Sequence, residues 1–429
     1  MPRFMDHDET TQGSPPQAGA TPRRRPRIQT FTSLRNKDFR LLWAGNIFEH
    51  MALWLQLISL SWLVWSLSGS ALLSGVAAGS RGFPTLVIGP WAGVIADRFD
   101  RRRLVITAQI FLTGVSIVFA LFVASGAVQV WHAMVYASVS GVCFAFIMPA
   151  RQALIVNTVP PEDLPNAFAL SAMTVTSNRL IGGILGGLLI TTVGIEWNFF
   201  VEGGAYIATA LLLIPMRTPY QEASTARQSS VISNLKEGLV YIWKDNRIIL
   251  HLMVLSFVLN MAFIPVPALL PAYTSAVLHS EANVGGYLLA AQGVGGVTAT
   301  VLIASMGLVM KKGQLGMVAL VVGSAAILIL AQSHWLLLSA AMLVVLGVCQ
   351  TSFIVTNQVL VQAMVPDTLR GRVTSLYMLE FGLGPVAIFF IGLLMDLYSV
   401  SGALTIVASV SLATSLLFLL AFRQVRNLE

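Results

Sequence analysis

The chain has 429 residues, of which 56% are hydrophobic and only 10% charged, with a formal net charge of +7. A mean hydropathy of +0.77 lies far outside the range of soluble domains and excludes an ordinary water-soluble fold. What remains is an integral membrane protein of the lipid bilayer.

Residues 1-38 are rich in Pro, Gln, Thr and Arg and cannot bury a core, so a disordered cytoplasmic tail is expected there. Arg23, Arg24 and Arg25 are not read as a twin-arginine export signal, because the first apolar run starts far downstream. Twelve apolar runs follow, at about 41-66, 71-96, 103-125, 130-157, 164-193, 196-215, 247-275, 282-309, 314-331, 335-364, 370-397 and 400-422. Each is long enough to cross a hydrocarbon core of about 30 Å as a helix. Barrel strands would alternate every second residue, which these runs do not. The spacing divides the chain into an N-terminal bundle at 39-215, a cytoplasmic linker loop at 216-246, a C-terminal bundle at 247-422 and a short cytoplasmic tail at 423-429.

The basic residues sort by side. Of the 26 Lys and Arg, 23 fall in the N-terminal tail, the 98-103 loop, the middle loop and the turns at 311-312, 370-372 and 423-426. The loops that alternate with these contain no Lys or Arg. This asymmetry expects both termini in the cytoplasm, in a cell (inner) membrane. It also argues against nucleic acid as the partner, since the positive charge follows topology rather than one binding surface.

Within span 1, Asn46, Glu49 and Gln56 share one helical face with Leu53, a polar stripe that would face water or other helices rather than lipid. Further ionisable residues inside spans are His50, Arg81, Arg179, Glu202 and Glu380. Their insertion cost of about 2.5 to 3.5 kcal/mol each makes them functional candidates. By depth, Glu49 is expected to pair with Arg179 or Arg81, either as a structural ion pair or as a proton-exchange site. The protonation of a buried carboxylate depends on whether a cation lies beside it.

Between spans 2 and 3 the stretch GVIADRFDRRR places six charges in the seven positions 97-103. Gly93, Ile95, Ala96, Asp97, Arg98, Asp100, Arg101 and Arg102 resemble the signature loop of the major facilitator superfamily, G-x-L-A-D-R-x-G-R-R/K, with Ile for Leu and Asp for the second Gly. PARQAL at 149-154, followed by VP at 159-160 and NA at 166-167, resembles the branch containing the enterobactin exporter and macrolide-efflux-like carriers. The resemblance implies an all-helical carrier of two pseudo-symmetric six-helix bundles around a central cavity, working by alternating access. It also implies a latch role for Asp97 while the cavity faces outward, and Arg151 is the candidate partner. A topology anchor without a gating role is the other reading of the same loop.

A shift of 206 residues pairs 141-170 with 347-376 at eight of thirty positions, including Gly141/Gly347, Cys143/Cys349 and Gln152/Gln358. Chance gives about two, so the halves read as parallel repeats. In span 5, Gly182, Gly183, Gly186 and Gly187 permit close backbone approach and resemble the antiporter motif of drug exporters. Pro265, Pro267 and Pro271 are expected to kink or break span 7. Ser256, Asn260, Thr351, Gln358 and Gln362 are candidates for the substrate cavity or for helix-helix hydrogen bonds.

Two cysteines flanked by apolar residues make neither a disulfide framework nor a metal site. No P-loop, H-E-x-x-H, G-x-S-x-G or dinucleotide fingerprint is present, so no enzymatic role, cofactor or metal is expected. The expected function is proton-coupled efflux of a small amphipathic compound such as a drug, siderophore or secondary metabolite. An importer on the same fold, or a membrane protein without transport activity, is the alternative.

Overall fold

The computed structural model describes residues 32-96, 99-218, 231-244, 246-306, 311-366, 369, 373, 376 and 383-428. The first half comprises α1 (Lys37–Ser68), α2 (Ala71–Ser80), α3 (Gly82–Ala96), α4 (Arg101–Ala124), α5 (Val130–Thr158), α6 (Leu164–Thr192) and α7 (Glu196–Leu213). After α8 (Val231–Lys244), the second half comprises α9 (Arg247–Ala262), α10 (Val266–Ala276), α11 (Ala282–Met306), α12 (Lys312–Gln332), α13 (Leu336–Met364), α14 (Gly384–Leu397) and α15 (Val400–Ala421). Ten of the described helical segments are long and apolar enough to cross a membrane, with α2 running into α3 and α9 into α10. With the 18-residue α7 and the shorter apolar α14, every one of the twelve expected runs contains a helix. No strand occurs among the described residues.

Local chemistry sets the breaks. α1 ends where Gly69 adopts φ 64° and its N–H reaches the Trp65 carbonyl, a left-handed conformation that a Cβ would strain. The α2–α3 interruption falls at Arg81; Pro84, four residues after Ser80, can neither donate to the Ser80 carbonyl nor avoid its ring clash. α9 and α10 separate at 263-265, where Pro265 and Pro267 follow one another, as expected from the proline spacing. α4 is capped by Asp100, whose Oδ1 accepts from the Arg103 N–H at 2.9 Å.

Two boundaries differ from expectation. Within the expected tail, Thr32–Arg35 forms a 3-10 turn tied to the start of α6 by Ser33 Oγ donating to Asn166 Oδ1 at 2.8 Å. The expected linker contains α8, where Val231, Leu235, Leu239 and Ile242 recur at helical spacing. At the other end, Arg423–Arg426 forms a helical turn, and the Leu428 carbonyl accepts from the Gly313 N–H at 3.1 Å.

Packing is that of a protein in lipid. Large apolar side chains such as Leu337 and Leu420 point outward, while Asn178, Gln109, Ser324 and Gln292 are buried. Since lipid is as apolar as leucine, helices associate through small residues and hydrogen bonds. Exposed Trp131, Trp197, Trp335 and Tyr398 cluster at the helix ends beside the loops that lack Lys and Arg, as in an interfacial aromatic belt. The sequence repeat is visible in three dimensions. Gly141 of α5 packs on the Arg81 carbonyl, and its counterpart Gly347 of α13 packs on the Gln292 carbonyl.

Candidate functional site

The halves meet along two seams. α6 packs on α11 and α2 on α14. Along the first, a Cβ at Gly183 would lie 3.0 Å from the Gly286 carbonyl oxygen, and one at Gly187 3.0 Å from Asn283 Cα. Gly182 and Gly186 instead face Trp54 and Ile58 of α1, so the glycine run serves one contact within its own half and one between halves. Along the second seam, Gly79 lies against Pro385 and Gly75 against Ile388. There Asp396 caps α2 from the opposite half: its carboxylate accepts from the Ser70 hydroxyl at 2.5 Å and from the Ala71 N–H at 2.8 Å. These contacts seal the end of the molecule whose loops carry no Lys or Arg.

Behind the seal lies a cavity of about 260 Å³ lined from both halves. Most of its wall is apolar, with Leu53, Leu57, Ile264 and Ile388 among the lining residues, and its polar wall is Gln56, Arg81, Arg179 and Gln350. Arg81, between α2 and α3, lies on this wall, where its guanidinium hydrogen-bonds Gln56 Oε1 and stacks 4.1 Å over Phe144. Gln56 in turn donates to Ser140 Oγ at 3.0 Å. Arg179 crosses between halves, donating through Nη1 to Gln350 Oε1 at 2.9 Å and lying 4.7 Å over Trp54. The same Gln350 oxygen accepts from Gln292 at 3.2 Å. Phe144 and Gln350 are separated by the 206-residue repeat shift, so equivalent positions of the two halves each hold one arginine.

Glu49 does not pair with Arg179 or Arg81, which corrects the expectation from depth. It forms an ion pair with Arg151 of α5 and accepts from Gln109 Nε2 of α4 at 2.7 Å. Both partners of that pair are buried within the first half, away from the cavity. Depth along a helix says nothing about azimuth, and Glu49 faces α4 and α5. Arg151 is therefore engaged from within the membrane, by Glu49. Asp97, Arg98 and Glu380 lie outside the described residues. Gly93 lies within α3; Arg102 donates to the Ile214 carbonyl at 2.5 Å, which ties the start of α4 to the end of α7. Arg101 opens α4.

Glu202 is fully buried on α7 and accepts from the Tyr206 hydroxyl at 3.0 Å. Of the expected cavity residues only Gln56 lines the wall. Asn46 is buried on α1, where its carbonyl accepts from His50 Nδ1 at 2.8 Å. Asn260 donates to the Ser256 carbonyl one turn back at 3.0 Å. Thr351 faces Gly296 of α11, and Gln358 is half-buried further along α13. Sequence reasoning missed Gln350, one residue before Thr351, and missed Gln292, Gln109 and Asp396. The repeat shift from Phe144 is the signal that leads to Gln350.

A family model described as "Transmembrane secretion effector" matches residues 28–429. The Staphyloferrin A transporter of Staphylococcus aureus is 22% identical over 393 residues, covering 90% of this chain and 95% of that one. The multidrug efflux pump Tap of Mycolicibacterium fortuitum is 24% identical over 350 residues, covering 79% and 85%. With the MFS-type transporter YfiS of Bacillus subtilis the match is 26% over 212 residues and spans about half of each chain, 48% and 49%. Among solved structures, the nucleoside transporter NupG superposes with a TM-score of 0.71 at 14% identity, over 90% of this chain and 100% of that one. Two pseudo-symmetric bundles, a cavity on their shared axis and a family match over nearly the whole sequence place this chain among the transmembrane secretion effectors of the major facilitator superfamily, as a membrane transporter.

Proposed function

We propose that this transporter exports a small amphipathic compound from the cytoplasm across a bacterial inner membrane by alternating access, coupled to inward proton movement. The observation that carries the reading is a cavity shared by two pseudo-symmetric halves and sealed at one end only by inter-half contacts, among them the Asp396 cap on α2. Contacts of that kind can break and re-form as the halves rock, whereas a continuous bundle cannot. The positive-inside distribution supports reading the sealed end as the outer one, which gives this conformation a cavity closed to the exterior. Outward direction is supported by the efflux function named for the Tap relative. The class of cargo, a drug, siderophore or secondary metabolite, is supported by the names of the same relatives.

The proton-carrying candidate is Glu49. Protonation there neutralises the partner of Arg151, which loosens the α1–α5 contact that the pair holds. The test is reconstitution into vesicles with an imposed pH gradient, screened against a mixed metabolite extract. Gradient-driven movement of a solute in the direction opposite to protons supports the reading. Movement in the same direction as protons makes the chain an importer on the same fold.

A further inference from the structure

Among the described residues, the two cavity arginines are held but not neutralised. The ion pair of Glu49 with Arg151 is elsewhere, and no carboxylate among the described residues lies within ion-pairing distance of Arg81 or Arg179. Each guanidinium has given one nitrogen to a neutral glutamine oxygen. Arg81 Nη2 and Arg179 Nε are buried without a hydrogen-bond partner. Each also rests on an aromatic face, Phe144 or Trp54, which fixes its plane without taking up its charge. Glu202, the carboxylate whose field reaches Arg81, is turned toward Tyr206 and is not on the cavity wall.

An arginine carries five N–H donors in a planar fork suited to an oxyanion. A charged group kept unpaired inside a membrane is costly unless a ligand completes it. We infer that the cavity is a site for an amphipathic organic anion, whose carboxylate or equivalent oxyanion binds Arg81 and Arg179 while its apolar body lies against Leu53, Leu57 and Ile264. The inference rests on the transport reading above and narrows its cargo, setting cationic amphiphiles aside. It also fits the direction of export, since a monoanion leaving an interior held 100 mV negative gains about fifty-fold in accumulation from the potential alone.

The test is equilibrium dialysis of the full chain in lipid nanodiscs, in buffer free of phosphate and carboxylates and with empty nanodiscs as control. The probes are 1-naphthylacetate, 1-naphthylacetamide and 1-naphthylmethylamine, which share one ring system and differ in charge. The acetate is expected to bind at least about tenfold more tightly than the other two. Arg81→Gln and Arg179→Gln are each expected to weaken the acetate about tenfold or more while moving the acetamide less than twofold. Arg179→Lys, which keeps the charge without the fork, guards against misfolding and is expected to retain the order of the three probes with weaker acetate binding. Glu380→Gln is expected to keep the acetate preference.

Equal or tighter binding of the amide or amine overturns the inference. So does failure of all three to bind, equal weakening of acetate and amide in the arginine variants, or an acetate preference that appears only in Glu380→Gln. The same probes in vesicles with a pH gradient separate the two proposals. Transport of the amine but not the acetate leaves the carrier reading standing and removes the anion site. Acetate binding without transport of any probe does the reverse.

Discussion

Glu49 and Arg151 are 1% and 6% exposed, so their energetics are those of a buried pair. Removing one partner leaves an uncompensated charge in a site without water, at a cost of about 3 to 5 kcal/mol, whereas removing both spares that penalty. Glu49→Gln and Arg151→Gln are therefore each expected to lower the thermal unfolding temperature in detergent clearly, and the double variant to recover most of the loss. A double variant as unstable as the sum of the singles would show that the two residues act independently. Transport driven by a pH gradient should be lost in Glu49→Gln; a full response to the gradient in that variant would remove it as the proton site. Asp100→Ala removes the α4 cap and should cost about 1 kcal/mol of stability without abolishing transport, measured by unfolding and vesicle uptake together.

At the scale of elements, the two seams are the parts that must separate. The Asp396 cap joins α14 to the N-terminus of α2, and Asp396→Ala withdraws it only from the state in which the outer end is closed. A cap worth about 1 kcal/mol corresponds to about a fivefold shift in the ratio of states toward outer opening. Spin labels at Gly126 and His334, read by pulsed dipolar spectroscopy, would report the change in population. The α6–α11 seam gives the opposite design. Gly187 has backbone from Asn283 and Gly286 within about 3.0 Å of where a Cβ would sit, so Gly187→Leu cannot close the outer end. That variant is expected to insert and express normally yet lose transport, and normal transport would show that the seam closes some other way.

For the whole molecule, the proposed orientation rests on the distribution of charge and is open to direct labelling. Single cysteines at Gly126 or Ser399 should react with a membrane-impermeant maleimide added outside intact cells, and one at Phe99 only after permeabilisation. The background is low because Cys143 is half-buried and Cys349 buried. The reverse pattern would invert the topology and with it the direction of the proposed export. The two guanidiniums also set the electrical character of the proposed cycle: a cavity that takes up a monoanion falls from two uncompensated positive charges to one when loaded, which lowers the cost of keeping that charge in the low-dielectric interior.

Much of this architecture was legible in the residues. Spans follow from uninterrupted apolar length, duplication from the 206-residue shift, and the break in span 7 from its prolines. Which charges touch was not legible, as Glu49 shows. Pairing depends on the rotation of each helix about its axis and on which neighbour faces it, and lipid-buried helices with apolar residues on every side carry little signal for either. The sequence by itself determined a twelve-helix membrane transporter with intramembrane charges, because the bilayer imposes length and polarity on any chain that crosses it. Only the tertiary structure decided that Glu49 neutralises Arg151 while Arg81 and Arg179 line the cavity between the halves, because ion pairs form between surfaces that helix packing, not chain order, brings together.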